Sequence, residues 1–337
     1  MSKRLRDSDK IWKLAKDLGI KPSNNPVSDI LEYCEKRITK FLKGAKCITL
    51  HELLNWVAGR LGTSFEEIHS DEDLREIKAK HIRAGEKSFA ILETWLTDDV
   101  YGITIKRTTV EDWEPQYVSI IDCREGKKKK AYYTKWHELA HLLILTEQMR
   151  LCYMRTQHLP DKDPEEMMVD VIAGRFGFYP PLIHPHVCNR ISFDEIERLK
   201  DSLCPDASYQ SSLIGFVNAW PKPCILLQCK PGLKTKQKAS LSNLSFPFSE
   251  TPTPELRAIN ATSNQAAKDD DLLVFKNMRV PKNSIIHSVH TYETEYGKAN
   301  EDLSWWETSD GTVLNTRKIK VESKRVGDDV YALITPQ

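Results

Sequence analysis

The sequence contains no run of 18 apolar residues, so it lacks the stretch that a membrane-spanning helix requires. It also lacks an excess of charge. Its 49 Lys plus Arg stand against 48 Asp plus Glu, a balance that gives no global pull toward nucleic acid. It has no Cys-x-x-Cys pair. Eight cysteines scattered over 337 residues read as reduced thiols rather than as a disulfide framework. The opening stretch Met1 to Lys10 has no apolar core of the kind a secretory signal carries. A cytoplasmic protein with no membrane partner is the expectation. No internal repeat is visible. The chain is long enough for two or three domains and a sizeable core.

The most informative stretch runs from Tyr133 to Leu145 and holds His137-Glu138-Leu139-Ala140-His141 in an apolar, helix-favouring run. On a helix, positions i and i+4 lie one turn apart on one face, so His137 and His141 can aim two imidazoles at one point. That suits two of the three protein ligands of a catalytic Zn²⁺, and Glu138 sits beside them as a general base. Zinc in such a site acidifies a water, and a carboxylate takes its proton as the water attacks a peptide carbonyl. The bland alternative is a helix with two unrelated histidines. The apolar flanks Leu139, Ala140, Leu142, Leu143 and Leu145 weigh against it. His51-Glu52-Leu53-Leu54-Asn55 has no second histidine and reads as helix surface.

A third ligand is expected from a second helix starting at Asp163, an N-cap, and Pro164, a first helical residue. Glu166 and Asp170 are four apart and share a face. The first assignment is Glu166 as metal ligand and Asp170 as the residue that orients a ligand histidine, a spacing that zinc peptidases with a glutamate ligand often show. In the rival assignment Asp170 is the ligand. In the plain one both are solvated charges near a helix N-terminus, where carboxylates are favoured anyway. Cys152, in the 146–163 link, and Cys123, just before the first helix, can each supply a thiolate that closes the metal's open position, as a cysteine switch does. A buried structural cysteine is the simpler account of either.

Around these motifs, residues 1–45 read as a helical extension with a break at Lys21 to Pro26. A helix spans 49–61. Phe89 to Leu92, Tyr101 to Ile105 and Tyr117 to Ile121 read as strands of a small sheet. Glu125 to Lys130 is a basic turn, either solvated or a contact for nucleic acid. His184 and His186 lie in a loop. Helices follow over 192–218, with Ser192 and Glu195 as a capping box. Cys224 to Cys229 is a strand. The polar stretch 231–271 reads as a linker. Short strands then recur at 272–275, 284–289, 304–307, 318–321 and 330–334, with a hairpin turn at Asp310-Gly311. The expected organisation is α+β: an extension at 1–45, a helical metallopeptidase domain with a small sheet at 46–230, a linker at 231–271, and a β-rich ligand-sensing domain at 272–337.

Thr134 to Leu143, then Glu166, Val169, Asp170, Ile172, Ala173, Gly174 and Pro180, resemble the ImmA/IrrE family of bacterial metallopeptidases. Leu50 to Gly62 resembles that family's leading helix. The resemblance covers roughly residues 45–230 and is closest at His137, Glu138 and His141. It implies a zincin-like fold, Zn²⁺ as cofactor, and a cytoplasmic endopeptidase that cuts a helix-turn-helix transcriptional repressor. Such cleavage derepresses stress-response or anti-phage defence genes. It also implies that the helix pair at 192–218 closes the peptidase domain, and that the C-terminal domain is GAF-like and takes DNA or a small molecule as activator. The competing class is a non-catalytic, metal-containing sensor that binds repressor or DNA without cutting.

Overall fold

The computed structural model describes residues 3–47, 49–108, 110–111, 113–145, 152–156, 163–187, 190–234, 253–308 and 311–337. It is a mixed helix-and-sheet protein with two compact units. One comprises Met1–Leu182 with Lys200–Ser211, the other Ile183–Leu199 with Ser212–Gln337.

The first unit opens with helices α1 (Lys3–Arg6), α2 (Asp9–Asp17), α3 (Pro26–Phe41) and α4 (Leu50–Arg60). Each of the last two has its sequence-encoded start. Asn25 caps α3 with Pro26 behind it, and Thr49 and Glu52 form a reciprocal capping box on α4. The segment expected as an extension is integral to this unit. Ile11, Leu14, Ile30, Cys34 and Ile38 are buried. Arg37 on α3 donates to the carbonyl of Leu143 at the end of the metal-motif helix, placing a cation where helix carbonyls are otherwise unpaired.

Strand β1 (Thr63–Ile68), helices α5 (Asp71–Arg83) and α6 (Leu92–Trp95), strands β2 (Val100–Lys106) and β3 (Tyr117–Asp122), helix α7 (Ala131–Leu143), strand β4 (Cys152–Thr156) and helix α8 (Pro164–Gly177) follow. The four strands form one sheet in the order β1-β3-β2-β4. β1 runs parallel to β3, and the other pairs are antiparallel. β2 and β3 are buried on both faces, as strands covered by helices on each side must be. Ile103, Ile105, Val118 and Ile120 point to a core shared with Ile68, Leu74, Phe89 and Leu92. Gly102, Thr104 and Ser119 lie on the opposite face, beneath α7.

The expected strand at Phe89–Leu92 is instead a 3-10 turn, Lys87–Ile91, running into α6. Phe89 and Leu92, three apart, are fully buried while Ile91 is 46% exposed, a helical rather than a two-residue period. The basic turn at 125–130 is not simply solvated. Asp122, wholly buried, accepts from the backbone amide and side chain of Arg124 and from Lys127 Nζ at 2.8 Å. Lys127 also donates to the carbonyls of Thr97 and Val100. The turn thus anchors the start of α7.

Helices α9 (Pro180–Ile183), α10 (Phe193–Leu203) and α11 (Tyr209–Ala219) contribute residues to both units. Ser192 caps α10 through the Glu195 amide. The second unit then adds β5 (Ile225–Gly232), β6 (Glu255–Ser263), α12 (Gln265–Asp269), α13 (Ile285–Thr291), β7 (Tyr296–Asp302), β8 (Lys318–Val326) and β9 (Asp329–Pro336). Its strands form an antiparallel sheet ordered β6-β5-β9-β8-β7. Ile225, Leu227, Ile319, Val321, Ala332 and Ile334 alternate onto one face around Trp306.

This arrangement moves the expected boundaries. β5, assigned by composition to the peptidase domain, pairs with β9 at the heart of the second sheet, and β6, inside the expected linker, pairs with β5. Of the short strands expected beyond residue 271, those at 318–321 and 330–334 lie in β8 and β9. Residues 284–289 are helical because Ser284 caps α13 and Glu301 accepts from Ser284 Oγ and the Ile285 amide. Residues 304–307 begin in a 3-10 turn, and 272–275 form no strand. Asp310 lies outside the described residues; an antiparallel bridge joins Glu307 to Val313 around it. Among the described residues, no helix is long and apolar enough to cross a membrane.

Burial pushes the Asp122 carboxyl up, but the Arg124 and Lys127 hydrogen bonds outweigh it and hold the group below the usual carboxylate range. A pKa lowered in the folded state stabilises the fold above the unfolded value, and that contribution is lost as pH falls through the folded one. Urea unfolding midpoints should therefore drop from about pH 4 downward, and Asp122→Asn should flatten that acid limb. Asp122→Ala should cost roughly 3 kcal/mol at pH 7, because it leaves two half-buried cations without their carboxylate.

Candidate metal centre

Helix α7 reaches the sheet as an uninterrupted run, with Trp136, His137, Glu138, Leu139 and Ala140 all buried. Two close approaches fix its position. At Gly102 on β2 a Cβ would lie 2.6 Å from Thr134 Cγ2 and 3.2 Å from Glu138 Oε1, so only glycine lets the helix sit this near. At Gly177, the end of α8, a Cβ would lie 3.2 Å from Trp136 Cδ1. Tyr132 Oη donates to the Gly177 carbonyl at 2.6 Å and closes that corner.

The two helices bring three donors together. His137 Nε2 and His141 Nε2 are 3.2 Å apart. Glu166 Oε2 is 3.3 Å from His137 Nε2, and its Oε1 is 3.6 Å from His141 Nε2. Ligands about 2.0–2.1 Å from one tetrahedral zinc would be separated by roughly 3.3 Å, so the donor set fits such an ion. Asp170 does not join this group. Its Oδ1 lies 3.1 Å from His137 Nδ1. A carboxylate there makes Nδ1 the protonated nitrogen and leaves the Nε2 lone pair aimed at the cluster. Tyr133 Oη donates to the Asp170 carbonyl and ties that turn of α8 to α7.

Electrostatics match the geometry. Burial pushes the Glu166 carboxyl up, but hydrogen bonds and charge from His137 and His141 outweigh it and hold the group far below the usual range. Burial disfavours the His137 imidazolium, while Asp170 and Glu166 overcome this and raise its pKa. Glu138 is wholly buried, and burial raises its pKa despite the nearby histidines and Thr104.

Glu138 sits at the end of a file of hydroxyls that runs across the sheet. Thr104 Oγ1 donates to Glu138 Oε2 at 2.7 Å. With its proton committed there, Thr104 accepts from Ser119 Oγ at 2.7 Å. Ser119 Oγ also lies 3.0 Å from Thr63 Oγ1, whose hydroxyl can donate to the Ser64 carbonyl at 3.4 Å as well. The Thr104 and Ser119 protons therefore point one way, toward the carboxylate, and each bond polarises the next. The other oxygen, Oε1, is buried and has no hydrogen-bond partner among the described residues. A buried carboxylate oxygen left unpaired is costly, and here it lies on a helix turn flanked by both histidines.

No protein-family model matches the chain, and no curated protein matches it. The site therefore stands on its own geometry and on the motif resemblance.

The remaining predicted residues lie elsewhere. Cys123 is buried against Glu67, with its Sγ 3.9 Å from Glu67 Oε2, and is not part of the His137–His141–Glu166 group. Cys152 is on β4, but its side chain falls outside the described residues. His184 Nε2 donates to the Ala219 carbonyl within the second unit. His51 pairs with Asp206 at the surface. The residues that sequence reasoning missed are Gly102, Thr104, Ser119 and Thr63. Their signal was a two-residue file of small and hydroxyl side chains (Gly102, Thr104) in strands that are otherwise apolar.

Thr104→Val, which keeps the shape and removes the donor, should destabilise the fold by about 1–3 kcal/mol, and Thr104→Ser should not; urea unfolding compares them. Asp170→Ala should weaken zinc binding about 10–100-fold with the fold retained, as read by competition with a chromogenic chelator.

Proposed function

We propose that the chain is a zinc-dependent endopeptidase that cuts a protein partner at a specific site. The observation that carries this reading is the convergence of His137, His141 and Glu166 beside a buried carboxylate, one of whose oxygens has no hydrogen-bond partner among the described residues. His137 and His141 would hold the ion from α7 and Glu166 from α8. Zinc bound there would acidify a water and polarise the scissile carbonyl. Glu138 takes the proton from the attacking water and passes it to the leaving amine. The Thr104–Ser119–Thr63 file holds the carboxylate in one orientation through both transfers. Asp170 keeps His137 in the tautomer that the ion requires.

The substrate follows from the resemblance to ImmA/IrrE peptidases: a helix-turn-helix repressor, whose cleavage would derepress stress or anti-phage genes. In this reading the first unit is the zincin-like catalytic body, and the second is the input module. A cavity of about 540 Å³ on the second unit, lined among others by Arg190, Ser192, Lys298, Asn300, Lys320 and Thr335, is of a size that holds small molecules and is where an activating ligand would be sought.

The test uses the zinc-loaded full chain and candidate repressors. Wild type should cut one repressor at a single bond and leave unfolded casein intact. Glu138→Gln should keep its zinc and lose about 10²–10⁴-fold in cleavage rate. Undiminished cleavage by Glu138→Gln would overturn the mechanism. Repressor binding without cleavage by zinc-loaded wild type would favour a metal-containing binding module instead.

A further inference from the structure

A second cluster of metal-ligating side chains lies in the first unit, at the end of β1 and β3. Glu67 is the penultimate residue of β1, His69 follows that strand, and Cys123 follows β3; one donor atom from each lies within 4.8 Å of the others. His69 Nε2 is 3.1 Å from Glu67 Oε2, and Cys123 Sγ is 3.9 Å from the same oxygen. Ligands at ordinary zinc–sulfur, zinc–nitrogen and zinc–oxygen distances on one tetrahedral ion would stand roughly 3.3–3.6 Å apart. The two separations to Glu67 Oε2 are therefore within about half an ångström of that spacing, and the imidazole and thiol lie within 4.8 Å of each other.

The backbone is held in this arrangement. β1 and β3 pair in parallel register from Thr63–Tyr117 to Ile68–Asp122, and the Cys123 amide donates to the Ile68 carbonyl at 2.8 Å. Lys135 of α7 donates to Glu67 Oε1 at 2.6 Å, which fixes the carboxylate plane and leaves Oε2 facing the imidazole and the thiol. The depth suits an ion with a way in. Cys123 is buried, Glu67 is half-buried, and the His69 side chain is 48% exposed. Solvent thus supplies the fourth ligand and the entry path.

We propose that Glu67, His69 and Cys123 form a second cation site, distinct from the His137–His141–Glu166 centre, for a borderline-soft divalent ion such as zinc. A thiolate in the set selects against calcium and magnesium, which take oxygen donors. Without an ion the thiol keeps its proton, because burial and then the Glu67 charge push it up to about 11. Binding therefore releases that proton to solvent as the metal–sulfur bond forms. The bound ion pins the ends of β1 and β3 together beside Lys135, two residues before His137.

The test is cobalt(II) binding to the full chain, stripped of metal and kept reduced. Cobalt on a thiolate gives a near-ultraviolet charge-transfer band that a histidine–carboxylate site does not. We expect this band in wild type and in His141→Ala. We expect it to be lost in Cys123→Ser and lost or weakened at least tenfold in His69→Ala. His69 is exposed, so its variant keeps the test decisive if Cys123→Ser fails to fold. No band in wild type, a band unchanged in His69→Ala, or a band that vanishes in His141→Ala would each overturn the proposal. The readout does not involve proteolysis, so it stands whether or not the chain proves to be a peptidase.

Discussion

The structure turns on the burial of one carboxylate. Glu138 has no exposed surface, and a charge in that position is tolerated only if donors meet it. Thr104 meets one oxygen, and the hydroxyls of Ser119 and Thr63 stand in line behind it. That file exists because β2 and β3 are covered on both faces, so their hydroxyls have no water to turn to. Gly102 lets α7 come close enough for the contact. Replace Gly102 with an ordinary strand residue and the helix must lift off the sheet. The two histidines, carried on the same turn, would lift with it.

The same helix is held at both ends by charge. At its start, Asp122 gathers Arg124 and Lys127, and Lys130 reaches the Tyr101 hydroxyl. At its end, Arg37 takes up the Leu143 carbonyl. α8 is then set against α7 by Gly177 and Tyr132, which brings Glu166 and Asp170 to different nitrogens of His137. The spacing of four residues on α8 matters for that reason: one turn separates a side chain that faces the cluster from one that faces the back of the ring.

The metal motif was legible because helical periodicity and donor chemistry coincide in it. His137 and His141 need only a helix to meet, and the apolar flanks supply one. The choice between Glu166 and Asp170 was not legible, because it depends on how α8 is rotated against α7, and Trp136 on Gly177 decides that. β1 and α5 went unread: β1 is half-buried with two glutamates in it, and α5 is charge-rich with only Leu74 and His81 buried. Phe89 to Leu92 and Ser284 to Val289 are short apolar runs that suit a strand in isolation. Their conformation is set by spacing to a core in the first case and by a Ser284 cap held by Glu301 in the second. The domain boundaries failed for a related reason. Composition cannot show that β5 and β6, separated from β8 and β9 by more than fifty residues of chain, pair into the same sheet.

Both donor clusters touch α7, one through His137 and His141 and the other through Lys135 on Glu67, and their chemistry differs in a way the fold explains. His137 and His141 are buried, and Asp170 supplies a negative charge behind the ring, so the site favours a cation while exposing little of it to solvent. The Glu67, His69 and Cys123 cluster opens to solvent, carries a protonated thiol, and has Lys135 across the carboxylate from it. A cation there must displace the thiol proton and tolerate an ammonium on the far oxygen. Lys135 is two residues from His137 on the same helix. Through its bond to Glu67, Lys135 thus ties the carboxylate of one cluster to the helix that carries the histidines of the other.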